Sequence, residues 1–124
     1  MKIYVGHSSS NDYEEELYEP LKQSDLSDKH DLVFPHEGDE FFDSKDFLRE
    51  ECDLFLAEVS KASTGLGIEL GWADLFDVPI VCVHGQGSNP SGSIRAFCGN
   101  IRDYSDKEEL IRIIRDFVEE LENE

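Results

Sequence analysis

Two short and almost unbroken apolar runs, Asp53–Val59 (DLFLAEV) and Pro79–Val83 (PIVCV), flank a segment long enough for a helix. A strand that is apolar at nearly every position, rather than at alternate ones, must be covered on both faces. Two such strands joined by a helix-sized connection pair in parallel, because only antiparallel neighbours can be linked by a tight hairpin. A sheet with one solvated face is thereby excluded for the middle of the chain.

The rest of the sequence extends the same alternation. Lys2–Val5 reads as an opening strand, and Tyr13, Leu17 and Leu21 then recur at helical spacing, with Ser10 or Asn11 as the cap. Pro20 is expected to kink or end that helix. Asp31–Phe34 forms a second strand stopped by Pro35, and Asp43 caps a short helix that turns Phe47 and Leu48 inward and ends near Cys52. A helix over Gly67–Phe76 connects the two apolar strands, the loop Gly85–Gly92 follows them, and Ile101–Tyr104 is a short fifth strand. Ser105 and Glu108 fit a capping box for a last helix that buries Leu110, Ile113, Ile114, Phe117 and Leu121. The implied fold is α/β: a single domain over residues 1–124, with a parallel sheet of about five strands and helices on both faces, of Rossmann or flavodoxin type.

Composition narrows the partners. With 39% hydrophobic residues the chain can build a core despite a net charge of −18. That charge repels a polyanion, so neither nucleic acid nor an anionic membrane surface is an expected partner. It reads as a solubility device, suited to a salty cytoplasm, rather than as an acidic docking surface. The three cysteines (Cys52, Cys82 and Cys98) show no metal-ligand spacing, and no bound metal or cofactor is expected. No signal sequence and no bilayer-length apolar stretch stand out, which points to a soluble, cytoplasmic protein.

Parallel sheets bind ligands beyond the carboxyl ends of their strands. Four polar clusters fall there, Gly6–Asn11, Pro35–Asp46, Ser60–Glu69 and His84–Arg95, and the fold predicts that they converge on one crevice. Within STGLGIELGWA, residues 63–73, Glu69 stands in an apolar run and in the expected first turn of a helix. A carboxylate is comfortable near a helix N-terminus, but burial among Ile68, Leu70 and Ala73 costs free energy without a partner. A functional role is the preferred reading. The two glycines do not make a dinucleotide fingerprint, since the third is missing and the loop does not follow the first strand. A P-loop is excluded because no lysine follows them.

The block CDLFLAEVSKASTGLGIELGWADLFDVPIVCVH, Cys52–His84, resembles the signature of the nucleoside 2-deoxyribosyltransferase-like superfamily. It is most similar to the 2'-deoxynucleoside 5'-monophosphate N-glycosidase branch, through Ala57-Glu58-Val59, the turn Ser63–Gly71 and the strand from Pro79. SGSIR, Ser91–Arg95, resembles that branch's following serine loop. The resemblance implies that Glu69 is the nucleophile, attacking the anomeric carbon to give a glycosyl ester that water then opens. It implies that Ser63 binds the 5'-phosphate of a nucleoside monophosphate, where the transferase branch usually has an aspartate. It also implies a homodimer or higher homo-oligomer, with Ser91 reaching a phosphate bound by the neighbouring subunit, and a Tyr4 that lies beside the sugar and the carboxylate.

Residue chemistry supplies the remaining candidates. Backbone N–H groups around Gly65 and Gly67 are possible phosphate donors, and Arg95 a charge partner. His36, just past a strand end, and its neighbour Glu37 are expected near the crevice, and His36 could protonate or hydrogen-bond the leaving base. Trp72 and Phe76 read as packing or dimer contacts. The chain departs from the resembled pattern in two places. Its first loop is GHSSSND, Gly6–Asp12, in which His7, Ser8, Ser9 and Ser10 could still donate to a ligand. The family's upstream aspartate falls on Lys45, flanked by Asp43 and Asp46, and Asp43 is preferred because its cap position faces the crevice mouth. The expected activity is hydrolysis of the base–sugar bond in a (2'-deoxy)nucleoside 5'-monophosphate. The alternatives are base transfer between deoxynucleosides, a nucleotide-binding module without turnover, and a protein-interaction domain.

Overall fold

A computed structural model describes residues 1–10, 12–37, 41–96 and 98–124. Its strands are β1 (Lys2–His7), β2 (Asp31–Val33), β3 (Leu54–Glu58), β4 (Ile80–Gly85) and β5 (Ile101–Tyr104). They form one parallel sheet in the order β2-β1-β3-β4-β5. This is the flavodoxin-like arrangement, whose strand order reverses between β1 and β3 and opens a crevice there. The helices are α1 (Glu19–Lys22), α2 (Leu26–Lys29), α3 (Ser44–Glu50), α4 (Thr64–Leu75) and α5 (Lys107–Glu122).

Side chains alternate across the sheet and build two cores. Ile3, Val5, Leu54, Leu56, Val81 and Val83 face α1, α2 and α5, meeting Leu21, Leu26, Leu110 and Ile114. Tyr4, Phe55, Ala57, Ile80 and Cys82 face α3 and α4, meeting Leu48, Leu66, Leu70 and Ala73. Gly6 is required by this packing, because a Cβ there would lie 2.6 Å from the Phe55 ring and 3.2 Å from Leu66. The last helix buries Leu110, Ile113, Ile114 and Val118, while Phe117 and Leu121 are only partly covered.

Several boundaries differ from the sequence expectation for identifiable reasons. The first helix opens as a π-helical turn over Glu14–Tyr18, with the Glu19 N–H bonded to the Glu14 carbonyl, before α1 begins. The wider turn precedes Pro20, whose ring would crowd the carbonyl four residues back in a regular helix. Ser10 does not cap it, since its hydroxyl bonds Ser8 instead, and Asn11 lies outside the described residues. Asp106 rather than Ser105 caps α5, its carboxylate accepting from the Glu109 N–H at 2.8 Å. Ser105 then donates its own N–H to the Glu109 carboxylate at 3.0 Å. Both Ser105–Glu108 and Asp106–Glu109 satisfy the box spacing, and the aspartate wins the cap.

The boundary that matters most is at α4. Ser63 is its N-cap, with the hydroxyl accepting from the Leu66 N–H at 3.3 Å, so the helix starts at Thr64 rather than Gly67. Gly65 and Gly67 therefore belong to the helix, and Glu69 sits in its second turn. At that depth the helix dipole supports a carboxylate only weakly. Its stabilisation must come from side chains.

Candidate active site

Glu69 reaches from α4 over the middle of β1, where the fully buried Tyr4 donates its hydroxyl to the Glu69 carboxylate. The Tyr4 oxygen also lies 2.6 Å from the Ser44 hydroxyl at the start of α3. Tyr4 has one proton, already given to Glu69, so Ser44 donates to Tyr4. The resulting chain, Ser44 to Tyr4 to Glu69, ties α3, β1 and α4 together at one carboxylate. Tyr4 is held in place by Phe55 and Phe47, with ring centroids 5.0 and 5.9 Å away.

Electrostatics follow from this geometry. Burial raises the Glu69 pKa above the ordinary carboxylate value, and the Tyr4 hydrogen bond pulls it partly back. Burial, then the Glu69 charge and the hydrogen bond to it, push the Tyr4 phenol far above its usual range, so Tyr4 remains a proton donor. A half-desolvated carboxylate with one neutral donor keeps its nucleophilicity, because it lacks the full water shell that would blunt it.

Glu69 and Tyr4 line a cavity of about 380 Å³. Gly65, Ile68 and Trp72 complete its α4 wall, and Asp43, Ser44 and Lys45 form the α3 wall. Pro35 and His36 close the end beyond β2, with Phe41 and Phe42 at the rim. The volume falls in the range of small-molecule sites. Asp43 borders the cavity while its carboxylate caps Asp46 at 3.1 Å. Asp46 itself turns away to an ion pair with Arg49 and is not part of the lining.

The other expected residues lie elsewhere. Ser63 and Ser91 line a second cavity, of about 270 Å³, with Lys61, Leu66, Gly67 and Ile94 around them. In a single chain this space is separate from the Glu69 cavity, so the four polar clusters do not converge on one crevice. Arg95 is exposed on a 3-10 turn, Gly92–Ala96, and lines neither cavity. His7 is buried, with Nδ1 3.0 Å from the Ser8 carbonyl and Nε2 2.6 Å from the Tyr18 hydroxyl. Nδ1 therefore carries the proton and Nε2 accepts from Tyr18. Burial lowers the His7 pKa, with the His36 charge adding to it, so His7 is a neutral packing residue under the stacked Tyr13 ring. Ser8 is buried and Ser9 exposed, and Glu37 pairs with Lys22.

Sequence reasoning missed Ser44, which looks like an ordinary first-turn serine until Tyr4 is seen beneath it. It also missed a second buried carboxylate. Glu58, at the end of β3 on the opposite sheet face, accepts from the Ser60 N–H at 2.6 Å, the Ser60 hydroxyl at 3.0 Å, and the Tyr104 hydroxyl. Ser60 in turn accepts from the Gly85 N–H at 2.8 Å. That carboxylate is saturated with donors and latches the ends of β3, β4 and β5. Among the described residues no cluster could hold a metal ion, and no helix is long and apolar enough to cross a membrane.

No protein-family profile matches the chain. It is 33% identical over 104 residues to the 5-hydroxymethyl-dUMP N-hydrolase of Esox lucius, an alignment covering 77% of this chain and 70% of that protein. It is 36% identical over 80 residues to a protein of Methanosarcina mazei named as a 2'-deoxynucleoside 5'-phosphate N-hydrolase, covering 60% of this chain and 48% of the relative. The chain thus spans about half the length of the Methanosarcina relative. Among solved structures, a CMP N-glycosidase of Clostridium botulinum shares the fold, with a TM-score of 0.65 and 17% identity, over 93% of this chain and 99% of that one. By sequence and by fold, the chain belongs to the nucleotide N-hydrolase branch of the nucleoside 2-deoxyribosyltransferase-like superfamily.

Proposed function

We propose that this protein hydrolyses the base–sugar bond of a nucleoside 5'-monophosphate, with Glu69 as the nucleophile. The observation that carries the reading is the half-buried Glu69 carboxylate, held by Tyr4 in a ligand-sized cavity and left with a free face toward it. Attack by a Glu69 oxygen on the anomeric carbon expels the base and leaves a glycosyl ester. Water then opens the ester, its hydroxyl going to the sugar and its proton restoring the base N–H. His36 and Asp43 border the same cavity and are the groups in reach to assist base departure. No metal or cofactor is required by this chemistry.

Phosphate recognition on this reading belongs to the amino end of α4, through Ser63 and the Gly65 N–H, completed by Ser91 of a second copy. Support for a homodimer comes from α4 itself. Ile68 and Leu75 are 49% and 71% exposed, and with the half-buried Trp72 they form a stripe at helical spacing beside the cavity. Phe76, by contrast, packs on the core. We take residues 1–124 to act as one domain in the cytoplasm.

Chromatography for free base, after incubation with ribo- and deoxyribonucleoside monophosphates, tests the activity. Release of base without an added acceptor supports hydrolysis, whereas release only with an acceptor base would identify a transferase. The first loop departs from the resembled pattern and turns His7 and Ser8 inward, away from any catalytic role, which favours a second reading as a binding module without turnover. Tight nucleotide binding with no base release would select it.

A further inference from the structure

We propose that Lys45 is the base-reading residue of the Glu69 cavity, selecting bases with an oxo rather than an amino group at pyrimidine C4 or purine C6 and stabilising them as they leave. The inference rests on the N-hydrolase reading above and adds the part of the substrate that reading leaves open.

Gly65, Glu69 and Trp72 line one wall of the cavity in succession from the amino end of the helix. A helix rises about 1.5 Å per residue, so these positions are spaced roughly 6 and 4.5 Å apart. A nucleotide with its phosphate at the amino end and its anomeric carbon at Glu69 places its base at Trp72. Lys45 stands there: its ammonium lies 5.9 Å from the centre of the Trp72 ring, reaching across from α3.

Charge makes this position unusual. Lys45 is the one lysine or arginine in the cavity lining among the described residues, in a chain of net charge −18. It enters no ion pair among the described residues. An ammonium donates three hydrogen bonds and accepts none. At the base edge farthest from the sugar it therefore matches the 4-oxo group of uracil or the 6-oxo group of guanine, and meets the 4-amino group of cytosine or the 6-amino group of adenine donor to donor. The same contact serves the chemistry. As the Glu69 oxygen bonds to the anomeric carbon, the electron pair of the breaking carbon–nitrogen bond moves onto the base and spreads to its oxo oxygen. A cation fixed at that oxygen is worth more as the charge develops than before it.

The test compares the wild type with Lys45→Met, which keeps the aliphatic stem over Trp72, and Lys45→Arg, which keeps the charge. Base release is measured from the 2'-deoxy monophosphates of uracil, guanine, cytosine and adenine, with circular dichroism confirming the fold. The wild type should prefer uracil and guanine. Lys45→Met should cut their kcat/KM by about ten- to a hundredfold, change cytosine and adenine by less than about threefold, and erase the preference. Lys45→Arg should restore most of it. No wild-type preference, or an equal loss on all four bases, overturns the proposal while leaving the hydrolase reading intact. If the wild type releases no base at all, the hydrolase reading fails, and equilibrium binding of the uncleaved monophosphates decides Lys45. Tighter binding of uracil over cytosine that is lost in Lys45→Met upholds base reading, and equal affinities overturn it.

Discussion

Tyr4 and Glu69, 65 positions apart in the chain, meet through a single hydrogen bond in which the phenol donates to the carboxylate. β1 supplies the tyrosine from its floor and the second turn of α4 supplies the carboxylate. Everything proposed for the site depends on that contact, because burial opposes the Glu69 charge and Tyr4 is the side chain that supports it.

Replacing Glu69 with Gln should abolish base release without unfolding the protein, since the side chain keeps its volume and its contact with Tyr4. The stability effect has a definite sign. The folded Glu69 pKa is raised, so its favourable contribution is fully present below the unfolded carboxylate pKa and is lost as pH rises through the folded value. Glu69→Gln should therefore gain stability relative to wild type between pH 4 and pH 7. Thermal melts at both values read it directly. A variant that loses ground as pH rises would show that the carboxylate is not held against its charge.

Tyr4→Phe should shift the pH dependence of catalysis. Loss of the donor leaves burial unopposed, so the Glu69 pKa climbs further and the carboxylate form appears only at higher pH. A charge-assisted hydrogen bond is worth about 1.5–3 kcal/mol, or roughly one to two pH units. The acidic limb of the kcat/KM profile should move upward by about that amount. An unmoved limb would mean that another group governs the ionisation.

The parts of this site that were legible in the sequence are those set by local pattern. The strand runs, the apolar positions facing each core and the isolation of Glu69 all follow from periodicity. Asp43 as a cap was legible for the same reason. The bond from Ser44 to Tyr4 and the reach of Lys45 to Trp72 were not legible, because they depend on where α3 crosses β1 and α4, a relationship no local spacing encodes. The burial of His7 was hidden likewise, since both its hydrogen bonds depend on the first loop folding inward over Tyr18. The start of α4 is hidden in the sequence because two glycines suggest a loop, whereas the Ser63 cap carries the helix through them.

Gly6→Ala tests how tightly the floor of the site is packed. The added Cβ would sit 2.6 Å from two Phe55 ring atoms, and Phe55 is fully buried against Tyr4. Overpacking of this kind costs about 1–3 kcal/mol. Urea unfolding should show a lower midpoint, and activity should fall as Phe55 pushes Tyr4. An unchanged midpoint would mean that the ring yields freely.

Ser63→Ala should have two separable effects. Loss of the N-cap costs about 1 kcal/mol of stability, readable by denaturation without any ligand. If Ser63 also binds phosphate, monophosphates should weaken by about ten- to a hundredfold while the matching nucleosides change little. Equal weakening of both ligand classes would leave Ser63 as a cap alone.

Ser91 lines a cavity separate from that of Glu69 within one chain, and its proposed contact with phosphate is made from a second copy. The exposed Ile68 and Leu75 supply apolar surface along α4, and Ile68 also borders the Glu69 cavity. Two chains that each carry −18 repel one another, and salt screens that repulsion without weakening apolar burial. The dimer should therefore tighten as salt rises, and activity at low protein concentration should rise with it. Ile68→Glu or Leu75→Glu should shift the equilibrium to monomer at every salt concentration, because each places a charge in the stripe. Sedimentation across a salt series, with turnover read on the same samples, checks the coupling. A monomer with full activity would separate Ser91 from the site and assembly from the mechanism.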